Sequence, residues 1–491
     1  MTTTMLELSH TYADELPELG VAWQAGPASD PQPIVVNDSL ADELGLDAAW
    51  LESDPGLELL VGTGLPDGAM PVAMAYAGHQ FGGYSPLLGD GRALLVGELS
   101  RPDGSLVDVH LKGSGPTPFA RGGDGRATLP AMLREFLIAE AMHALGVSTT
   151  RALAVVATGD DVIREGPATG AVLTRLASSH LRVGSFQYAA ANDADLDLVR
   201  RLADYAIERH YPTLLGQDDR YLAFLESVLD AQAALIAQWM LTGFIHGVMN
   251  TDNMLVSGET IDFGPCAFLD RFDPSAVYSS IDRGGRYAFG NQPAIAQWNL
   301  TRLAETLLAL IHDDQDAAVE AATVVLETFP DRYLHHWRHG MQAKLGLSTE
   351  AASDAALYDE LLDIMRAANA DYTLTFRNLS DTLRGDDSPL RSMIDDALLP
   401  AWIARWHQRL HDEGAVLTDV ADTMDRINPL YIPRNHLVEE ALDAAGRGNL
   451  SPFTELLDVV TSPFDARDGH ERYATPADDS FTANYQTFCG T

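Results

Sequence analysis

The chain has 491 residues, 46% hydrophobic and 21% charged, which is close to globular averages and excludes wholesale disorder. A net charge of −39 excludes electrostatic binding to nucleic acid or to an anionic membrane, since both need a basic face. No run of about 18 apolar residues is present to span a bilayer, and two cysteines, Cys266 and Cys489, are too few for a disulfide framework or a cysteine zinc site. The acidity is that of a soluble protein or of one adapted to a salty cytoplasm. The acidic N-terminus lacks a basic stretch followed by an apolar one, so the expected location is cytoplasmic.

Length alone suggests about three domain-sized units. Residues 1–68 mix Pro, Asp and short helical pieces and read as an N-terminal extension. Residues 69–180 turn to short β runs with glycine punctuation, among them Ala93 to Leu99 and Leu106 to Lys112. The second alternates apolar and polar residues as a half-buried strand does. A helix is predicted from about Leu129 to Leu145, with Pro130 in its first turn and Gly146 just past its end. Strands return at Ala152 to Ala157 and Ala171 to Thr174. From about residue 195 helices dominate. Tyr221 to Leu241 is apolar on more than one face and reads as a central buried helix. Others are expected at 297–312, 315–328, 354–369, 390–412 and 436–445. The expected organisation is a small β-rich lobe (69–180), a larger helical lobe (181–400), and a helical extension with a cysteine-containing tail (401–491), a protein-kinase-like two-lobed α+β fold.

The chemistry concentrates after the central helix. His246-Gly247-Val248-Met249-Asn250-Thr251-Asp252-Asn253 is followed by Thr260-Ile261-Asp262-Phe263-Gly264. Kinase catalytic loops read H-R-D-x-x-x-x-N before a metal-binding D-F-G. His246 and Asn253 stand at that separation, and Met254 to Val256 with Thr260-Ile261 would form the hairpin between the two motifs. Asn253 and Asp262 offer hard oxygen ligands of the kind Mg²⁺ takes together with nucleotide phosphates. The only lysines are Lys112 and Lys344. Lys112 ends the alternating strand and Glu135 lies on the next helix, the placement of a kinase phosphate-contacting lysine and its glutamate partner; Glu140 competes for that role. Gly89-Asp90-Gly91-Arg92 and Gly122-Gly123-Asp124-Gly125 are glycine turns that let backbone N–H groups approach phosphate. Arg175 and Arg182, near a strand end, could clamp phosphate. Val248 stands where a kinase places its catalytic Asp and cannot accept a proton. Asp252 is the substitute carboxylate, unless the chain only binds nucleotide.

These residues resemble the selenoprotein O family, a pseudokinase lineage of protein adenylyltransferases, over nearly the whole chain. The resemblance rests on Gly78-His79-Gln80-Phe81-Gly82, Leu88 to Arg92, Leu111 to Phe119, the loop from His246 to Asn253, Asp282 to Tyr287 and Asn428 to Asn435. It implies a flipped ATP with the α-phosphate facing a protein Ser, Thr or Tyr hydroxyl, release of pyrophosphate, and UMP transfer as a related reaction. By the same resemblance Lys112, Arg175 and Arg182 are phosphate clamps, and Glu135 partners the lysine. Gly89, Gly91, Arg92, Asp124 and Gly125 contact nucleotide. Asn253 and Asp262 bind Mg²⁺ or Mn²⁺, and Asp252 is the base. The family's cysteine near the C-terminus corresponds to Cys489, and a reversible Cys266–Cys489 disulfide across the active site is the matching hypothesis. An ordinary phosphotransferase and a silent nucleotide-binding scaffold are the competing readings.

Overall fold

The computed structural model describes residues 7–192, 196–395 and 397–488. Strand Leu106–Lys112 forms as its sequence predicts, but it is buried on both faces and not half-buried. Val107, Val109 and Leu111 join an apolar cluster with Leu57, Leu60, Val96, Val156 and Val172. Successive side chains of a strand point to opposite faces, so Asp108, His110 and Lys112 share the other face, where they too are buried. One face of the strand is thus a seal and the other carries charge.

The sheet is antiparallel, in the spatial order Gly20–Ala22, Val72–Met74, Ala93–Ser100, Leu106–Lys112, Pro167–Ala177, Arg151–Ile163, Gln32–Val36, with Ala127–Thr128 paired to Pro167–Ala177. Both outer strands come from the stretch expected as an N-terminal extension. Its helices Asp38–Glu43 and Asp54–Val61 cover the apolar face. The opposite face packs on helix Leu129–Ala144, through Leu133, Phe136 and Leu137 against Leu95, Val155 and Leu173.

After residue 180 the described chain is mostly helical. The expected central helix runs Arg220–Thr242, stops at Gly243 in the left-handed conformation, and passes directly into strand Phe244–Ile245 and the loop from His246. Helices Gln292–Ile311, Gln315–Glu327, Asp354–Ala368 and Asn435–Gly446 match the expected ones closely. Two expectations are corrected. The helix expected over 390–412 is two helices, Ser388–Met393 and Leu399–Asp412; Pro400 opens the second and disfavours helix immediately before it. The hairpin expected between Met254 to Val256 and Thr260-Ile261 does not form: Leu255 bridges Arg182 and Thr260 bridges Thr149, tying each stretch to the β-rich half. Helix Phe329–Lys344 was not expected, because its His- and Arg-rich sequence hides the apolar period. No helix among the described residues is long and apolar enough to cross a membrane.

Candidate active site

Register brings the first cations together. Arg175 lies directly across from His110 and Leu173 across from Lys112, so both cations emerge on the charged face of neighbouring strands. Arg182 follows the strand, just before helix Val183–Asn192. These three converge on Asp262: Lys112 Nζ stands 2.5 Å from its Oδ1, Arg175 Nη1 2.8 Å from the same oxygen, and Arg182 Nη1 3.2 Å from Oδ2. Burial alone would raise the Asp262 pKa, but the charges of Lys112, Arg175 and Arg182 hold the carboxyl well below its usual range. Asp262 also has φ of +63°, a left-handed conformation uncommon for a residue with a Cβ, so its carboxylate is held there at a backbone cost. Lys112 Nζ also reaches Glu135 Oε1 at 2.5 Å, while Glu140 takes Arg151 instead, through bonds of 2.8–3.2 Å. The competition between the two helix glutamates is settled by geometry.

Around this cluster opens a cavity of about 910 Å³. Its walls include every residue expected to contact nucleotide or metal, Gly89, Gly91, Arg92, Lys112, Asp124, Gly125, Glu135, Arg175, Arg182, Asn253 and Asp262, and also the expected base, Asp252. Asp124 stands at the more open side, gripped by Arg164 through two bonds of 2.8 and 3.0 Å. Gly125 has φ of +64°, and a Cβ there would fall 2.2 Å from the Gly115–Pro116 backbone, so only glycine lets the two loops meet.

The catalytic-loop motif folds as a short turn over Thr251–Asn253. His246 anchors its start, bonded through Nε2 to the Ile261 carbonyl at 2.8 Å, which ties the loop to the segment that delivers Asp262. Asn253 donates from Nδ2 to the Val248 carbonyl at 3.0 Å, leaving Oδ1 as its acceptor. Asp252 is buried. Gln80 Nε2 donates to its Oδ2 at 3.3 Å, Oδ1 has no partner among the described residues, and Arg182 binds the Asp252 main-chain carbonyl at 2.6 Å. Burial raises its pKa to about 6, within reach of neutral pH for a proton acceptor.

Several residues of the site were quoted in sequence motifs without being assigned a role. Asp90 sits between the two assigned glycines. Burial pushes its carboxyl up, but the partner His110 at 2.9 Å, followed by Arg182, brings it to about 2. Arg175 Nη2 can only donate, so His110 accepts from it at 3.3 Å through Nδ1 and its Nε2–H is the one that donates to Asp90; burial lowers the His110 pKa. The Tyr76 ring underlies the Arg182 guanidinium at 4.4 Å. The alternating period that sets Lys112 on the charged face of the strand sets His110 there too, so alternation gives its face but not its partner. Gln80 and the tail residues Tyr485 to Phe488, which line the cavity, carried no comparable signal.

The tail crosses close to Asp262-Phe263-Gly264. Thr487 donates from Oγ1 to the Pro265 carbonyl at 2.6 Å and from its N–H to the Tyr278 carbonyl at 2.8 Å. Cys266, next to Pro265, is fully buried and its thiol bonds the Phe263 carbonyl at 3.1 Å; burial pushes its pKa up to about 12. Cys489, its hypothesised partner, lies outside the described residues.

Residues 4–461 match the family described as protein adenylyltransferase SelO. A protein nucleotidyltransferase YdiU of Rhodococcus jostii is 57% identical over 100% of this chain and 95% of its own length. Its counterpart from a Mycobacterium species is 58% identical over 99% of this chain and 100% of its own length, and that of Cereibacter sphaeroides 54% over 98% and 99%. The chain belongs to the SelO family and is an enzyme of the nucleotidyltransferase class.

Proposed function

We propose that the chain transfers AMP from ATP, and by the same phosphate contacts UMP from UTP, to Ser, Thr or Tyr hydroxyls of proteins, releasing pyrophosphate. The observation that carries this reading is the separation of roles around the cavity. Val248 offers no base where a kinase has one, while Asp252, buried and with a pKa near 6, stands on the wall beside the cation cluster. The acceptor hydroxyl loses its proton to Asp252 as its oxygen attacks the α-phosphorus. The bond to the bridging oxygen breaks, and Lys112, Arg175 and Arg182 stabilise the negative charge that gathers on the departing pyrophosphate. His110 and Asp90 hold Arg175 and Arg182 in place for that task. Glu135 orients Lys112. Gly89, Gly91, Arg92, Asp124 and Gly125 surround the rest of the nucleotide.

A divalent ion, Mg²⁺ or Mn²⁺, fits the donor set. Asp262 gives a carboxylate and Asn253 a free amide oxygen, too few for a full shell, as expected of an ion that completes it with nucleotide phosphates and water. Such an ion would supply charge neutralisation of the phosphates. The sequence of a β-rich half, a central buried helix, a catalytic-type loop and D-F-G supports a kinase-like two-lobed arrangement. The relatives are named protein nucleotidyltransferases, which supports a protein acceptor, and the location proposed for the reaction is the cytoplasm.

The test is incubation with α-³²P-ATP and, separately, γ-³²P-ATP, for wild type and Asp262→Ala. Protein label from the α-position alone, lost in the variant, is the expected outcome; γ-label on protein would make the enzyme a kinase. A second reading concerns the tail. Because Thr487 bonds Pro265 beside Cys266, we infer that Cys489 can pair reversibly with Cys266 and tie the tail across the cavity. Peptide mapping after oxidation, with no Cys266–Cys489 cross-link found, would refute it.

A further inference from the structure

The second of the chain's two lysines is buried away from the active site. Lys344 ends helix Phe329–Lys344 and is 6% exposed. Its Nζ stands 4.3 Å from the centroid of the Phe376 ring and 5.9 Å from that of Tyr372, whose hydroxyl is already committed to the Met240 carbonyl. Among the described residues no carboxylate pairs with it, although the chain has 71 acidic residues. It lines a cavity of about 150 Å³ that also touches Val147, Gln238, Leu241, Thr242 and Pro429.

We propose that this cavity is a binding site for a small monocarboxylate, held by the Lys344 ammonium. A buried ammonium without a counter-ion is costly, and the faces of two rings offset only part of that cost. The other polar groups in the wall are satisfied among themselves. Gln238 accepts from Ser148 N at 3.1 Å and donates to the Gly146 carbonyl at 3.3 Å, and Thr242 donates to the Gln238 carbonyl at 2.9 Å. Among the polar side chains of the wall, the Lys344 amine alone has no hydrogen-bond partner among the described residues. A single positive charge is balanced by a monoanion, whereas a dianion would leave a net charge buried. The volume is about that of a cavity that admits benzene, and Val147, Leu241 and Pro429 suit a short alkyl or aryl tail. Burial lowers the Lys344 pKa to about 7, so the ammonium and the carboxylate favour each other's presence. This site is independent of the proposed transfer reaction.

Two lysines make the test direct. Protein grown on lysine labelled with ¹³C at Cε gives two side-chain signals, assigned with Lys344→Arg or, if that variant does not fold, Lys112→Arg. Sodium propionate is titrated against sodium chloride at constant ionic strength and pH 6.5. The expected result is a saturable shift of the Lys344 signal with propionate alone, with affinity falling about tenfold per pH unit above the amine's pKa. If the Lys344 signal moves no further with propionate than with chloride, or both lysine signals drift together without saturating, the proposal is overturned.

Discussion

Asp252 sets stability against activity, and Asp252→Asn separates the two. The ordinary Asp pKa of 3.8 is raised to about 6 in the folded chain, mainly by burial. A carboxyl whose folded pKa is raised binds its proton more tightly when folded. Its ionisation therefore penalises the fold as pH rises from about 4 to 6, with the full penalty above that range. At about 1.4 kcal/mol per unit, the shift corresponds to roughly 3 kcal/mol at pH 8 and about half as much at pH 5. The amide cannot ionise and keeps the shape, so Asp252→Asn stabilises the apo protein by up to about 3 kcal/mol at pH 8, less whatever the Gln80 contact loses. The gain shrinks toward pH 5. The assay is urea unfolding of both proteins in EDTA at pH 8 and pH 5. In the same variant AMP transfer falls by about 10²–10⁴-fold, the usual contribution of a general base. A variant less stable than wild type at pH 8, or a difference that does not change with pH, refutes the desolvation argument whatever happens to activity.

Lys112→Met removes one of three cations from the Asp262 cluster, and ATP affinity by calorimetry drops about tenfold or more; unchanged affinity would place the phosphates elsewhere. Gly78→Ala would set a Cβ 2.4 Å from Asp252 Oδ1, so the transfer rate falls about tenfold or more with ATP affinity kept, and an unaltered rate would show that the antiparallel pair Gly78–Gln80 and Gly83–Ser85 yields. Arg434, fully buried between Asp270 and Asp371 at 2.6 Å each, leaves two uncompensated carboxylates when changed to Leu, a loss of about 3–5 kcal/mol in chemical denaturation. Cys266 resists iodoacetamide in the native protein and reacts after unfolding, as its burial and raised pKa require; labelling at the rate of a free thiol would contradict that burial.

The sequence was most legible where one local rule dominates. Alternation fixed strand Leu106–Lys112, and Pro130 with Gly146 bounded the helix that carries Glu135. The spacing of His246, Asn253 and Asp262 named the loop because local chain geometry alone sets those distances. Long-range pairing was harder to read. Leu255 and Thr260 look like two arms of one hairpin, but their partners are Arg182 and Thr149, which only the tertiary arrangement supplies. Asp90 and His110 were hidden for a related reason. Each is an unremarkable polar residue until the register between strands Leu106–Lys112 and Pro167–Ala177 sets Arg175 beside one and the approach of Arg182 completes the other.

That same register has a consequence for how this chain can change over time. Strand Leu106–Lys112 meets the core with three apolar residues on one side and supplies Asp108, His110 and Lys112 on the other. Inserting or deleting one residue before Lys112 within the strand would turn the remaining positions over, burying the charges among Leu57 and Leu60 and aiming valines at the cavity. Point substitutions at these positions can be graded in effect, but length changes there are all-or-nothing. Lineages of this chain should therefore drift by substitution within the strand and confine their gains and losses of residues to turns such as Arg101 to Ser105, where a bend and not a register holds the backbone.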